Sequence, residues 1–86
     1  MKQQLSLEAF ADWCEKQPEG RVYRWVDYNE CACGQYAASL GITGWCKHVY
    51  KGGFWDVANR VAFQVSAPRT FRALAAHLRA AQVHPC

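Results

Sequence analysis

The chain has 86 residues, of which 51% are hydrophobic and 14% aromatic, and it carries a formal net charge of +3 at pH 7. This length predicts one small domain with a thin core, and the hydrophobic content excludes a disordered polypeptide. No apolar run approaches the roughly 20 residues needed to cross a bilayer, and the N-terminus lacks the apolar stretch of a signal peptide. We therefore expect a single cytoplasmic domain over residues 1–86, without membrane contact and with a frayed C-terminal end.

Charge is divided unevenly along the chain. Residues 1–30 hold four cations against six carboxylates, a net charge of −2, whereas residues 31–86 hold six cations against one carboxylate, a net charge of +5. A basic half of this kind suits nucleic acid or an acidic protein surface. It is equally typical of a solvated face that only keeps a protein soluble.

The first third of the chain predicts a helix followed by a strand. Ser6 has the position of an N-cap, and the helix must end near Lys16 because Gln17 precedes Pro18. Residues 21–28 are dense in β-branched and aromatic side chains, which favours a strand with apolar area on both faces.

Residues 29–48 contain three of the five cysteines and a histidine, and two interpretations compete for them. In the first, a zinc ion is held by four soft ligands. These ligands are Cys31, Cys33, Cys46 and His48. In the second, a helix is capped by Asn29 or Asp27 and closed by Gly41.

We favour the helix over the zinc site. Its buried stripe consists of Cys33, Tyr36, Ala37 and Leu40, at helical spacing. Two residues along a helix are turned by roughly 200°, so Cys31 points away from Cys33 and the two thiols cannot share one metal. The interpretation therefore predicts no cofactor, with Cys33 buried and Cys31 the more exposed of the two thiols.

The second half of the chain predicts a helical turn, a strand and a final helix. Asp56 is placed to cap a turn over residues 57–60, and Val61, Phe63 and Val65 alternate with less apolar residues as in a half-buried strand. Thr70 then opens a helix whose buried stripe begins at Phe71. The predicted core consists of Trp25, Tyr36, Leu40, Phe63, Phe71, Leu74 and Leu78.

These elements predict an α+β fold, a small single domain with three helices packed on a two- to three-stranded sheet. An all-helical domain is the alternative. The sequence contains no phosphate loop, dinucleotide fingerprint, nucleophile elbow or paired-histidine helix, and nothing supplies an oxyanion hole for a Cys46–His48 pair. We therefore expect no enzymatic activity.

Binding is the function that remains, and composition favours a protein partner because tryptophan, tyrosine and arginine anchor interfaces. A small basic nucleic-acid-binding module is the alternative, since cations and aromatic rings are interleaved in the glycine-rich segment of residues 44–55. The predicted binding surface joins that segment to the arginines around the last helix. Its residues are Lys47, Tyr50, Lys51, Trp55, Arg69, Arg72 and Arg79. If this surface is inactive, the acidic first helix with Glu8, Asp12 and Glu15 is the next candidate.

Four stretches of the chain, residues 9–18, 23–31, 34–36 and 69–78, resemble small uncharacterised proteins of phages and prophages. Phage proteins of this size include anti-CRISPR proteins, which bind a host surveillance complex or nuclease and block target recognition. The resemblance implies an inhibitor that sequesters a host protein or ribonucleoprotein complex in the bacterial cytoplasm. Many anti-CRISPR proteins are acidic mimics of nucleic acid, so a chain with a basic second half would instead have to occupy an acidic or nucleic-acid-facing site.

Overall fold

The computed structural model describes residues 5–24, 30–42 and 53–83. These residues form four α-helices, in the order α1 (Leu7–Glu15), α2 (Ala32–Ser39), α3 (Phe54–Gln64) and α4 (Phe71–Val83). They contain no β-strand, so the predicted α+β fold is wrong. The described part of the chain is a small all-helical domain.

Helix α1 begins and ends where the sequence predicts. The Ala9 backbone N–H donates to Ser6 Oγ at 3.1 Å, which confirms Ser6 as the N-cap. The helix ends at Glu15. Its C-cap is Lys16, which lies two residues before Pro18. Its buried side, Phe10, Ala11 and Cys14, is fully shielded from solvent.

Helix α2 begins later than predicted but ends at the predicted glycine. Its N-cap is Cys31, whose Sγ accepts from the Gly34 N–H at 3.2 Å, so the prediction of Asn29 or Asp27 as the cap is wrong. At the other end, Ile42 N–H donates to the Ala37 carbonyl at 2.9 Å and Gly41 N–H to the Ala38 carbonyl at 3.1 Å. Gly41 has φ +73°, and this Schellman arrangement confirms that it closes the helix.

Helix α3 replaces both the short turn and the strand predicted between residues 57 and 66. It follows Gly53 and continues through Gln64, so Val61 and Phe63 are helical and the predicted strand is wrong. The buried residues of this segment recur with a helical period. They are Trp55, Ala58, Val61, Ala62 and Val65. Ala58 and Ala62 are small and only weakly hydrophobic, so they do not mark the helical period clearly in the sequence. The alternation of the larger residues Val61, Phe63 and Val65 therefore suggested a strand.

The predicted strand at residues 21–28 is reduced, in its described part, to a single antiparallel bridge between Val22 and Thr70. Tyr23 N–H donates to the Arg69 carbonyl at 3.0 Å, and Phe71 N–H donates to the Arg21 carbonyl at 3.1 Å. The pairing cannot extend into a ladder because Thr70 is immediately followed by α4. Residues 25–28 of the predicted strand lie outside the described residues.

The core is formed mainly where α4 packs on α1, with aromatic rings from other elements filling the space beside them. The Phe10 and Tyr36 rings stack with centroids 4.6 Å apart, and the Trp13 ring meets the Phe71 ring edge-on at 5.2 Å. Four predicted core residues are confirmed as buried: Tyr36, Phe71, Leu74 and Leu78. Leu40 is half-buried, Trp25 lies outside the described residues, and the prediction for Phe63 is wrong because 55% of its surface is exposed.

The cap of α4 provides a stability test. Thr70 Oγ1 accepts from the Ala73 N–H at 3.1 Å, so Thr70→Ala leaves one first-turn donor unsatisfied and should lower the free energy of unfolding by about 1 kcal/mol. Thr70→Ser keeps the acceptor and should retain most of that stability. Urea denaturation compares the two variants, and equal losses in both would show that the hydroxyl group does not stabilise the helix.

Candidate functional site

The structure describes only part of the predicted binding surface. Lys47, Tyr50 and Lys51 lie outside the described residues. Trp55 is described, but it belongs to the buried side of α3 with only 5% of its surface exposed, and its ring packs edge-on against Phe54. Within the described residues, the predicted surface is therefore represented by its three arginines.

Arg79 is engaged by the acidic face of α1. Its Nε donates to Glu15 Oε2 at 2.9 Å, and its Nη2 donates to Glu15 Oε1 at 2.6 Å and to Asp12 Oδ1 at 2.8 Å. The paired contact with Glu15 is the bidentate geometry that favours arginine over lysine. These bonds raise the pKa of Arg79 above its ordinary value and lower that of Glu15, chiefly through the hydrogen bond between the two. Arg79 thus joins α4 to α1, and the same contact occupies two of the three carboxylates of the alternative acidic surface.

Arg72 lies on the flank of α4 that carries Arg79, as the spacing of seven residues predicts. Its positive charge also lowers the pKa of Glu15, although less than Arg79 does. Arg72 is exposed and lines an open groove of about 460 Å³ together with Glu19, Gly20 and Thr70. The groove therefore presents one cation and one carboxylate.

Arg69 lies beside the exposed ring that the sequence interpretation placed in the core. Its guanidinium carbon is 5.8 Å from the centroid of the Phe63 ring, and its Nη2 contacts the Phe63 carbonyl at 3.5 Å. This is a cation–π arrangement, in which the ring face attracts the positive charge. The arginine supports one face of the ring while more than half of the Phe63 surface faces solvent.

Phe63 belongs to a surface, which we name the α3 patch, consisting of Val57, Arg60, Phe63 and Arg69. Arg60 is three residues from both Val57 and Phe63, so it lies between them on the outer face of α3. Val57 is 41% exposed, and the Arg60 side chain is 73% exposed while forming an ion pair with Asp56 at 2.8 Å. The patch thus combines two exposed apolar side chains with two arginines.

Sequence reasoning missed Val57, Arg60 and Phe63 as surface residues because it divided α3 into a turn and a strand. One signal was available. At 100° per residue, Ala58 and Ala62 continue the buried stripe from Trp55 towards Val61 and Val65, and both Arg60 and Phe63 fall outside that stripe.

The described cysteines are buried free thiols. Cys14, Cys31 and Cys33 form no disulfide, and burial is the main cause that raises the pKa of Cys14 and of Cys33 above the usual thiol range. Cys31 is slightly more exposed than Cys33, at 4% against 1%, but it does not point away from the core as predicted, because it precedes the helix as its cap. Thiols held in the protonated form are poor nucleophiles and poor metal ligands.

The zinc and thiolate–imidazole hypotheses depend on Cys46 and His48, which lie outside the described residues. Residues 5–24, 30–42 and 53–83 contain no cluster of three or more potential ligands arranged to hold a metal ion. The same residues include no helix with the length and apolar character that a membrane span requires.

Comparison with known protein families, with curated proteins and with solved structures finds no match for this chain.

The contact between Arg79 and Glu15 predicts a pH dependence of stability. The folded pKa of Glu15 is lower than its ordinary value of 4.5, so the folded protein binds fewer protons than the unfolded chain in this range. The stabilisation is therefore complete above pH 4.5 and is lost as the pH falls through the folded pKa. Thermal melts of Glu15→Gln should show a shallower acid loss than the wild type, and an unchanged acid loss in this variant would contradict the prediction.

Two phenylalanine substitutions separate the helical structure from the predicted strand. Because Phe63 is exposed, Phe63→Ala should change the free energy of unfolding by less than about 1 kcal/mol. The matched variant Phe71→Ala removes a fully buried ring and should cost about 3–5 kcal/mol. Chemical denaturation provides the comparison, and similar large losses in both variants would contradict the position of Phe63 on the outer face of α3.

Proposed function

We propose that this protein is a phage-encoded interaction protein that binds and blocks a host protein or complex without catalysis, in the manner of anti-CRISPR inhibitors. The observation that carries the proposal is the exposure of Phe63 beside Arg69 in the α3 patch. Covering a large exposed ring with a partner removes apolar surface from water, which contributes favourable free energy to binding. Aromatic and arginine side chains are also the residues that most often dominate the energy of protein interfaces.

The surroundings of the patch favour a preformed surface. Val57 and Phe63 lie on one helix whose opposite side is fixed in the core by Trp55, Ala58 and Ala62. The Tyr23 hydroxyl also donates to the Ala62 carbonyl at 2.7 Å, which ties this part of α3 to the segment before α2. A rigid surface loses little entropy on binding, and this suits an inhibitor that must compete with another ligand.

Direct nucleic-acid binding is the second candidate, and Phe63 with its neighbouring arginines is the observation that favours it, since a ring can stack on a base. The charge arrangement favours it less than a protein partner. Phosphate binding depends on several cations that neutralise the backbone. In the described residues Arg79 is neutralised by Asp12 and Glu15, and Arg60 is paired with Asp56.

Affinity capture from the bacterial host tests the proposal. The wild-type chain should capture a host protein, and this capture should persist after the lysate has been treated with nuclease. The Phe63→Ala variant should no longer capture that protein. Gln64→Ala, an exposed neighbour on the same helix, should retain it and serves as the matched control. Recovery of no protein above background by the wild type would contradict the proposed function.

Salt separates the two candidates. An interface anchored by apolar side chains should weaken only modestly between about 50 and 200 mM salt. A phosphate-binding surface should weaken in proportion to the number of phosphates that it neutralises, by about tenfold for two and about a thousandfold for six. Steep salt dependence together with loss of the captured material after nuclease treatment would favour nucleic-acid binding.

A further inference from the structure

The segment that follows α1 has an open backbone edge, which we name the Val22 edge and which consists of Arg21 and Val22. On the inner side of this segment, Tyr23 N–H donates to the Arg69 carbonyl. On the same side, the Arg21 carbonyl accepts from Phe71 N–H. Successive residues of an extended chain direct their backbone groups to opposite sides, so the Val22 N–H and C=O face outward. Neither group has a hydrogen-bond partner among the residues that the structure describes.

The Val22 edge is short and exposed to solvent. Gly20 has φ +86° and turns the chain just before it. Two residues beyond Val22, the Arg24 N–H is already bonded to the Glu30 carbonyl at 3.0 Å. The free backbone groups therefore belong to one residue, whose surface is 49% exposed. An extended peptide can pair with such an edge through its own backbone and cover the valine side chain.

Arg21 holds a positive charge in a fixed position beside this edge. Its guanidinium lies over the buried Phe71 ring, with 5.4 Å between the guanidinium carbon and the ring centroid. Its Nη1 donates to Gln17 Oε1, and its Nη2 donates to Gln35 Oε1 at 2.6 Å. Both amides are themselves oriented, because their Nε2 atoms donate to backbone carbonyls at 3.0 and 2.7 Å. The guanidinium is thus positioned before any ligand binds, which lowers the entropy lost on binding.

No carboxylate neutralises Arg21. Its two side-chain acceptors are neutral amides, and within residues 5–24, 30–42 and 53–83 it forms no ion pair. Arg60 and Arg79, by contrast, each have a carboxylate partner. Residues 16–24 also hold three cations against the single carboxylate of Glu19. A guanidinium has more N–H donors than two amides accept, so Arg21 can still bind a carboxylate.

We infer that the Val22 edge docks an extended acidic segment of a partner protein. The segment accepts a hydrogen bond from the Val22 N–H and donates one to the Val22 carbonyl, and an apolar side chain of the segment covers the valine. The adjacent residue of the segment lies opposite Arg21, and its carboxylate binds the guanidinium. A phosphodiester group has acceptors but no donor for the Val22 carbonyl, so the edge favours a polypeptide over a nucleic acid. This inference goes beyond the proposed function and does not depend on the α3 patch.

NMR titration of the full chain with defined peptides tests the inference. The probe is a capped hexapeptide with valine–glutamate–valine at its centre, and the matched peptide has glutamine in place of glutamate. The glutamate peptide should slow solvent exchange of the Val22 amide about tenfold when about nine-tenths of the protein is bound. The Tyr23 amide, which is already hydrogen-bonded, should exchange slowly with or without peptide. The glutamine peptide should bind about threefold to fivefold more weakly, because it lacks the charge that meets Arg21.

An arginine variant tests the charged contact from the other side. Arg21→Gln should bind the glutamate and glutamine peptides with equal affinity, because the carboxylate then has no guanidinium to meet. Lys16→Gln removes the same charge at the C-cap of α1 and should keep the preference for glutamate. Thermal melts establish that both variants are folded, and the comparison of the two peptides on the wild type needs no variant.

Other outcomes would overturn the inference. Equal affinity of the wild type for the glutamate and glutamine peptides would remove the role of Arg21. Binding without slower exchange at Val22 would place the peptide elsewhere, and absence of binding at millimolar peptide would remove the docking site. Perturbation of the Val22 and Arg21 signals by single-stranded oligothymidylate, but by neither peptide, would assign the edge to nucleic acid. Capture of a host protein through Phe63 is measured separately, so a failure here is distinguishable from a failure of the proposed function.

Discussion

The packing of α4 on α1 is the contact on which the other elements depend. Near the start of α4, the Phe71 ring meets Trp13 edge-on, and two turns later Arg79 reaches Asp12 and Glu15. Between these contacts, Leu74 and Leu78 are completely buried. Apolar burial supplies most of the stabilisation, because the charged contact at the edge is partly exposed and water screens it. The charged contact instead favours one alignment of the two helices, since a bidentate pair tolerates little displacement.

The remaining helices complete this pair. Tyr36 of α2 stacks on Phe10 of α1, and α3 contributes Trp55 and Val61 to the same core. The bridge between Val22 and Thr70 holds the segment after α1 beside the start of α4. One consequence is that α3 has one face packed against the core and the other toward solvent. The position of the α3 patch thus follows from core packing.

The sequence predicted the features that depend on local chemistry. Ser6 and Thr70 act as N-caps through their own hydroxyl groups, and Gly41 ends α2 through a backbone conformation that glycine adopts easily. The buried stripe of α4 was likewise visible, because its large apolar residues recur at helical spacing. In α3 the buried positions include two alanines, so periods of 2 and 3.6 fitted the larger side chains almost equally well. The helix prevails because Trp55 and Val61 of α3, with its C-cap Val65, are buried on one side, an outcome that the tertiary structure decides.

Charge was the least predictable part of the candidate site. Arg79 belongs to the basic half of the sequence, yet the carboxylates that neutralise it come from the acidic half, 64 and 67 residues away in the chain. Counting charges by segment cannot reveal such a pair, because it forms only when α4 folds onto α1. Arg60 became a candidate for the opposite reason, since folding placed it on the same exposed helix face as Phe63, which the sequence interpretation had assigned to the core.

The burial of Cys14, Cys31 and Cys33 makes these thiols reporters of local opening. Alkylation requires the reagent to reach the sulfur, which burial opposes at all three residues, and it requires the thiolate to form, which burial also opposes at Cys14 and Cys33. Each thiol therefore reacts only from states in which its own surroundings have separated. Cys14 lies on α1, whereas Cys31 and Cys33 lie at the start of α2, so their labelling rates measure how often each helix leaves the core. The native sequence thus contains probes for the order in which this domain comes apart, without any engineered label.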